Sequence, residues 1–270
     1  MSMFWKSALR LRSPRWPDFP RMALLLLLGA GCSQNPASDS TIRVAAASDV
    51  APAFEQIQTL FEQKTNQRVI FSFGSSGLLA KQIEQGAPFD VFASANLDYA
   101  QQAIASKQCE SDSLTLYAKG RLSLWTRPGI SKPNRVEDLS DSRFVHIAIA
   151  NPEHAPYGKA AKEALISLGL WEKVEKRMVY AENVRQALQM AESGNADASI
   201  VSHSMVHQKS EGSAIPIDHH VHAPIEQNLV VCKGGHNQAG GQAFAAFIHS
   251  PQSRKILESY GFLLPPPSKP

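Results

Sequence analysis

The sequence lacks a basic stripe, a membrane-spanning apolar run and a helix-turn-helix motif, and each absence argues against a class of protein. The formal net charge is +3 over 270 residues, and much of the excess lies before residue 22. Nucleic-acid-binding surfaces need clustered Lys and Arg, so we exclude nucleic acid as a partner. The apolar run at residues 22–28 is far shorter than the roughly 20 residues that cross a bilayer. No helix-turn-helix precedes Thr41, so we do not expect the effector domain of a transcription regulator.

The composition that remains is that of an ordinary soluble globular protein. Hydrophobic residues make up 43% of the chain and charged residues 19%. The length allows two compact lobes of roughly 100 residues each. Two of the three cysteines, Cys109 and Cys232, fall in the predicted folded part. They could form a disulfide or remain two buried free thiols, because the sequence does not place them within bonding distance.

Residues 1–31 have the pattern of a secretory signal peptide. Basic residues precede the apolar run, and small residues follow it. Cys32 comes next and begins a polar tether at residues 32–40. This arrangement resembles the lipobox of bacterial lipoproteins, in which the cysteine is lipidated, although Gly29 stands where a Leu is usual. We therefore expect a periplasmic protein that a lipid on Cys32 anchors to the membrane, with a plain cleaved signal as the alternative.

Short apolar runs alternate with amphipathic helical stretches from Thr41 onward. Buried strands are predicted at residues 42–46 and 69–73, on either side of a helix at residues 51–64. The second half repeats the plan, beginning with a strand at residues 144–149. This order of strand, helix and strand indicates parallel βαβ units. The sequence therefore predicts an α/β protein.

Two stretches are predicted to cross between the halves, at residues 116–125 and 224–232. A chain that crosses twice leaves a cleft that can close by a hinge motion. We predict one lobe from residues 41–119 and 226–270 and a second lobe from residues 120–225, with a ligand cleft between them.

Four predicted helix starts carry small or hydroxyl residues where strands end. They lie at residues 46–49, 74–77, 155–158 and 182–184. Ligands of open α/β sheets gather at the carboxyl ends of strands, where helix N-termini present free N–H groups and a positive dipole end. None of the four segments contains Arg or Lys, and Ser48 and Ser76 add hydroxyl donors. The pattern predicts an anion site built from neutral donors, with helix capping as the alternative role of each serine.

The same segments resemble the periplasmic molybdate-binding proteins over residues 41–262. The resemblance rests on Val-Ala-Ala-Ala-Ser at residues 44–48, on residues 74–95, on Asn-Pro-Glu-His-Ala-Pro-Tyr-Gly at residues 151–158, and on residues 182–187. It implies the type II two-lobed binding-protein fold. It also implies capture of molybdate, often tungstate as well, for the permease of an ABC transporter. We expect a monomer that is not an enzyme and holds no cofactor.

The resemblance also implies a set of oxyanion contacts. Ser48 and Ser76 would bind through hydroxyl and amide groups, and Tyr157 and Val184 mainly through backbone amides. Several family members place a tyrosine hydroxyl on the oxyanion at the position of Ser202, which completes the expected set. A serine is too short to reach as far as that tyrosine, so the Tyr157 side chain is the alternative source of this donor. These residues would contact molybdate as an oxyanion and are not expected to ligate a metal ion directly.

The chemistry of the donors separates the possible oxyanions. Phosphate is partly protonated near neutral pH and benefits from a carboxylate acceptor, whereas a donor-only site prefers sulfate, molybdate or tungstate. Asp49 could accept a proton, but we expect it to be a first-turn acid that the helix dipole stabilises. A carrier of sulfate or phosphate is therefore the alternative. An exported enzyme would need paired titratable groups, and the four segments offer only Asp49 and Glu182.

The chain has nine histidines, which invites a metal-site hypothesis. His219, His220 and His222 lie together, with His203 and His207 nearby. No carboxylate or cysteine completes an obvious site, so we expect these histidines to lie on solvated surface.

Overall fold

The computed structural model describes residues 41–266. The predicted signal peptide at residues 1–31, the tether at residues 32–40 and the lipidation site at Cys32 lie outside this range. Within residues 41–266, ten strands form two five-stranded sheets. No helix in this part of the chain is long and apolar enough to cross a membrane.

The first sheet has the strand order β2-β1-β3-β10-β4. Its strands are β1 (Thr41–Ala47), β2 (Arg68–Gly74), β3 (Val91–Ser94), β4 (Thr115–Gly120) and β10 (Ile225–Val231). Strand β1 is parallel to β2 and β3, whereas β10 is antiparallel to β3 and β4. The helices of this lobe are α1 (Ala51–Thr65), α2 (Ser76–Glu84), α3 (Leu97–Ala105), α8 (Gln238–Ile248) and α9 (Pro251–Ser259). The predicted βαβ unit at residues 42–73 is confirmed to within one residue at each strand end.

The second sheet repeats this plan with the order β7-β6-β8-β5-β9. Its strands are β5 (Leu122–Thr126), β6 (Ile147–Ala150), β7 (Met178–Ala181), β8 (Ala198–Ser202) and β9 (Ser213–Pro216). Its helices are α4 (Pro156–Ser167), α5 (Trp171–Val174), α6 (Val184–Glu192) and α7 (His203–Val206). Parallel pairing of β6 with β7 and β8, and antiparallel pairing of β5 with β8, mirror the first sheet.

Strand β6 begins three residues later than the sequence predicts, at Ile147 rather than Phe144. The reason is that the Asp197 side chain accepts hydrogen bonds from two backbone amides of the predicted strand. The amides of Val145 and His146 donate to Oδ2 of Asp197 at 2.7 Å and 2.9 Å, so they do not enter the strand ladder. An apolar run alone does not reveal this competition.

The chain passes from the first sheet to the second at Arg121 and enters the first sheet again at Ile225. The two-lobed α/β architecture is therefore confirmed, while the boundaries proposed at residues 119 and 225 stay a prediction.

Cys109 and Cys232 form a disulfide within the first lobe, so they are not two buried free thiols. The cysteines also pair as an isolated antiparallel bridge of the backbone.

The hydrophobic cores of the two lobes differ in composition. Edge-to-face aromatic pairs pack the first lobe, with the ring of Phe61 5.3 Å from that of Phe244 and Phe54 6.2 Å from the same ring. The core of the second lobe is mainly aliphatic. Helix α1 carries a proline in its first turn and is followed by the C-terminal cap residue Asn66, which adopts the left-handed conformation.

Candidate functional site

One small cavity lies among the segments that follow the strands of both sheets. It is lined by Ala47, Ser48, Asp49, Gly74, Ser75, Ser76, Ala95, Ala155, Pro156, Tyr157 and Val184. Even when all space not filled by atoms is counted, it holds about 190 Å³. Pockets for drug-sized ligands have roughly 300–1,000 Å³. The cavity therefore suits a small ion rather than an organic molecule of that size.

Four of the five predicted contact residues line this cavity: Ser48, Ser76, Tyr157 and Val184. Each belongs to the first turn of a helix that follows a strand: the short 3-10 helix Ser48–Val50 after β1, α2 after β2, α4 after β6 and α6 after β7. First-turn amides have no partner within their own helix, and the helix dipole makes these ends attract negative charge. The fold thus brings four such ends from two lobes to one point.

The serines are not used as helix caps. The residue before α2 is Ser75, and its side chain makes no capping hydrogen bond. The Ser76 hydroxyl oxygen accepts a hydrogen bond from the Ala95 amide at 3.0 Å, which leaves its proton free to be donated to a ligand. Ser48 follows the cap residue Ala47 and is itself buried against the cavity. The capping alternative is therefore wrong for Ser48 and Ser76.

Helix α6 is capped by a different residue. Oδ1 of Asn183 accepts a hydrogen bond from the Gln186 amide at 3.0 Å. Val184 follows directly as the first residue of the helix, so its amide remains available at the cavity wall. The asparagine thus stabilises the helix end without occupying the ligand position.

The Asp49 side chain turns into the protein interior and is fully buried. Its Oδ2 accepts hydrogen bonds from the Tyr157 hydroxyl at 2.9 Å and from Nε2 of Gln227 at 2.7 Å. Its Oδ1 has no partner among the described residues. Burial raises the pKa of Asp49 to about 7, although hydrogen bonding to Tyr157, to its own backbone amide and to Gln227 partly counteracts it. Sequence reasoning placed this acid in the first turn but missed its buried role.

The Tyr157 hydroxyl is directed at Asp49 and is not left for a ligand. A Cβ atom added at Gly120 would overlap this hydroxyl, so the glycine provides the space that it occupies. Burial raises the pKa of Tyr157 well above its ordinary value, and the nearby Asp49 adds to the shift. Only the backbone of Tyr157 is therefore available to an anion.

Ser202, the fifth predicted contact, is buried at the end of β8 and does not line the cavity. Its hydroxyl lies 2.6 Å from the Ser204 hydroxyl, which donates to the backbone oxygen of Asp49 at 2.8 Å. Ser202 thus lies behind the Asp49 segment, and its direct contact with a ligand stays a prediction.

Besides the hydrogen bond between Tyr157 and Asp49, another contact between the lobes lies at the rim of the cavity. The Gly77 amide donates to the backbone oxygen of His154 at 2.9 Å, and the Ser75 hydroxyl lies 2.9 Å from Nδ1 of the same histidine. A Cβ atom at Gly77 would lie 2.7 Å from the His154 oxygen, so only glycine permits this approach. We call these residues the rim contact.

The histidines match the sequence expectation only in part. His207, His219 and His220 are exposed as expected, whereas His203 and His222 are buried rather than solvated. The expectation that no carboxylate joins the cluster is wrong, because potential ligand atoms of Asp218, His219 and His220 lie within 4.8 Å of one another. Asp218 was missed although it precedes His219 in the chain. All three are exposed, and Oδ1 of Asp218 already accepts from the His220 backbone amide at 3.0 Å.

The two-lobed fold and its anion-sized cavity define a solute-binding protein. The chain belongs to the family of bacterial extracellular solute-binding proteins, whose family model matches residues 42–263. It is 34% identical over 244 residues to the molybdate-binding protein ModA of Rhodobacter capsulatus, covering 89% of this chain and 94% of the relative. It is also 34% identical over 250 residues to YvgL of Bacillus subtilis (strain 168), provisionally named an ABC transporter substrate-binding lipoprotein. This match covers 87% of this chain and 93% of YvgL.

Among solved structures, the periplasmic molybdate-binding protein of Azotobacter vinelandii matches with a TM-score of 0.78 and 32% identity. The match covers 83% of this chain and 99% of that structure. The type II two-lobed fold is thereby confirmed. These relatives are named as binding proteins and not as enzymes, in agreement with the expectation of a non-catalytic protein.

Proposed function

We propose that this protein captures molybdate outside the cytoplasm and delivers it to the permease of an ABC importer. One observation carries the proposal: first-turn residues from four helix ends in two lobes line one small cavity that includes no Lys or Arg. The molybdate-binding names of the relatives support the same ligand. Tungstate is a further ligand of this proposal because it shares the charge and tetrahedral shape of molybdate.

The binding energy would come from neutral donors. Each hydrogen bond to a charged group contributes about 1.5–3 kcal/mol, so several donors can offset the costs of association. The hydroxyls and amides of Ser48 and Ser76 would act from one lobe. The amides of Tyr157 and Val184 would act from the other. Ser202 would contribute through Ser204, which supports the Asp49 backbone.

A second candidate ligand is phosphate, which one specific observation favours. Asp49 lines the cavity, and its Oδ1 has no partner among the residues described. A deprotonated Asp49 could accept the proton of hydrogen phosphate, an interaction that molybdate cannot offer at neutral pH.

Calorimetric titration of chelator-treated protein with molybdate, tungstate, sulfate and phosphate tests the ligand. We expect tight binding of molybdate and tungstate. A Ser76→Ala variant should weaken molybdate binding by about 10- to 100-fold, because a donor to a charged group is lost. Ser140→Ala, which removes an exposed hydroxyl far from the cavity along the chain, is the matched control and should bind as the wild type does. Tight phosphate binding without a molybdate response would refute the assignment.

Attachment to the membrane through Cys32 is a separate part of the proposal. The lipoprotein name of the Bacillus relative supports it, as does the lipobox-like pattern. Radioactive palmitate should label the wild type and not Cys32→Ala. Equal labelling of the two proteins would remove this part of the proposal and leave oxyanion binding untouched.

A further inference from the structure

Asp49 is the one acidic residue among those that line the cavity within residues 41–266. It is fully buried, and one of its two carboxyl oxygens is without a partner there. A carboxylate beside a site for a dianion is unfavourable, because like charges in a poorly solvated space repel strongly. The protein therefore needs a way to keep this carboxyl from opposing its ligand.

The partnered oxygen of Asp49 connects the lobes. The hydrogen bond from the Tyr157 hydroxyl reaches it from α4 in the second lobe, and the bond from Gln227 reaches it from β10 in the first. Oε1 of Gln227 accepts in turn from the Tyr117 hydroxyl at 3.2 Å. We call Asp49, Tyr157, Gln227 and Tyr117 the rear cluster.

The rear cluster fixes the residue that also supplies a cavity amide. Tyr157 is the second residue of α4, so its backbone lies at the cavity while its ring carries the hydroxyl to Asp49. The Tyr157 hydroxyl also lies so close to Gly120 that a Cβ atom at this position would overlap it. Asp49 therefore determines where this helix end stands relative to a ligand.

Among residues 41–266, no Lys, Arg or His is a cause of the pKa shift of Asp49. Besides Asp49, the titratable groups of the rear cluster are Tyr117 and Tyr157. Burial raises the pKa of both well above the ordinary value, so both stay neutral. His203, on helix α7, is held neutral because burial lowers its pKa to about 4, and its Nδ1 pairs with Ser123 at 2.8 Å. Arg185 on α6 and Glu55 on α1 are exposed.

We propose that Asp49 is a positioning residue of the oxyanion site that holds Tyr157 through Oδ2 and takes up one proton from solvent when a dianion binds. This inference rests on the proposed function. The proton neutralises the Asp49 carboxylate and so removes its repulsion of the bound dianion. Asp49 then holds the second lobe in place without opposing the ligand.

The sign of the pH dependence follows from linkage. Burial already places the pKa of Asp49 at about 7 in the protein without ligand. A bound dianion raises this pKa further, so the complex holds more protons than the free protein above pH 7. Affinity is then full below neutrality and falls as pH rises, by up to about tenfold per pH unit.

The test is calorimetry with molybdate at about pH 6, 8 and 9, repeated at pH 8 in buffers of different ionisation enthalpy to count protons. The wild type should take up close to one proton per molybdate at pH 8 and lose about tenfold or more in affinity by pH 9. Asp49→Asn keeps a neutral acceptor for Tyr157. It should bind without proton uptake and with an affinity that is constant over this range.

Two further variants test whether Asp49 is the residue that takes up the proton. Glu55→Gln removes an exposed acid on the neighbouring helix and should retain the proton uptake of the wild type. Asp49→Ala removes the acceptor of Tyr157 and should bind weakly at every pH. A wild type that binds molybdate with constant affinity and no proton uptake would overturn the inference and leave the proposed function standing. A wild type that binds no molybdate at any pH would overturn the proposed function itself.

Discussion

Two of the contacts that join the lobes, the rear cluster and the rim contact, differ in chemistry. The rear cluster is fully buried and is organised around a carboxyl group with a raised pKa. The rim contact uses a backbone hydrogen bond and a serine–histidine pair, and His154 is only half-buried. A buried, charge-bearing contact is costly to break because an unpaired group would remain. A partly solvated contact can exchange its partners for water. The rear cluster should therefore control affinity, while the rim controls access.

The largest effect should follow from breaking the rear cluster with Tyr157→Phe. The change leaves Asp49 without one of its two donors, a loss of about 1.5–3 kcal/mol. Molybdate binding should weaken by roughly 10- to 150-fold below neutrality. The pKa of Asp49 should also rise, because the hydrogen bond from Tyr157 lowers it. The fall in affinity should then begin at a higher pH than in the wild type.

Calorimetric titration over the pH range measures both effects of this change. Tyr180→Phe removes the hydroxyl of an exposed tyrosine and serves as the control. If Tyr157→Phe binds like Tyr180→Phe at every pH, the rear cluster does not control affinity.

An intermediate effect is expected at the rim from Gly77→Ala. The new methyl group would approach the His154 oxygen to 2.7 Å when the lobes are closed. Overpacking of this kind costs about 1–2 kcal/mol, which corresponds to roughly 5- to 30-fold in affinity. Opening of the lobes would remove the contact with His154 but not the contact with the Tyr99 ring of the same lobe, which the new methyl group would approach to 2.9 Å. The melting temperature of the ligand-free protein should therefore fall less than that of the molybdate complex. Thermal unfolding with and without molybdate measures both changes. An equal fall in the two would mean that Gly77 serves folding rather than closure.

The smallest effect should come from Ser75→Ala. Its hydroxyl bonds a half-buried histidine, so its loss should cost about 0.5 kcal/mol, or two- to threefold in affinity. Stopped-flow release of molybdate should show this loss mainly as faster dissociation. A loss comparable to that of Tyr157→Phe would contradict the distinction between the two contacts.

Four of the five residues that short local patterns predicted as ligand contacts line the cavity, and their contact with a ligand stays a prediction. Ser48, Ser76, Tyr157 and Val184 each follow a strand that alternation and apolar runs reveal, and parallel strands present their carboxyl ends to one side. Their placement at the cavity was predictable because each position depends on a strand and the turn after it. It missed the rear cluster because Asp49 lies 108 residues from Tyr157 and 178 from Gln227 along the chain. An acid next to a predicted anion site, with no basic neighbour, was the available signal.

The sequence by itself determined the α/β class, the order of βαβ units and the helix ends that carry neutral donors, because these depend on interactions between near neighbours. Tertiary structure alone decided which hydroxyls remain free. It joined Cys109 to Cys232, turned the Tyr157 hydroxyl toward Asp49, and placed Ser202 behind the cavity. The physical reason is that hydrogen-bond partners and burial are set by segments distant in the chain. Those segments determine whether a side chain serves the ligand or the protein.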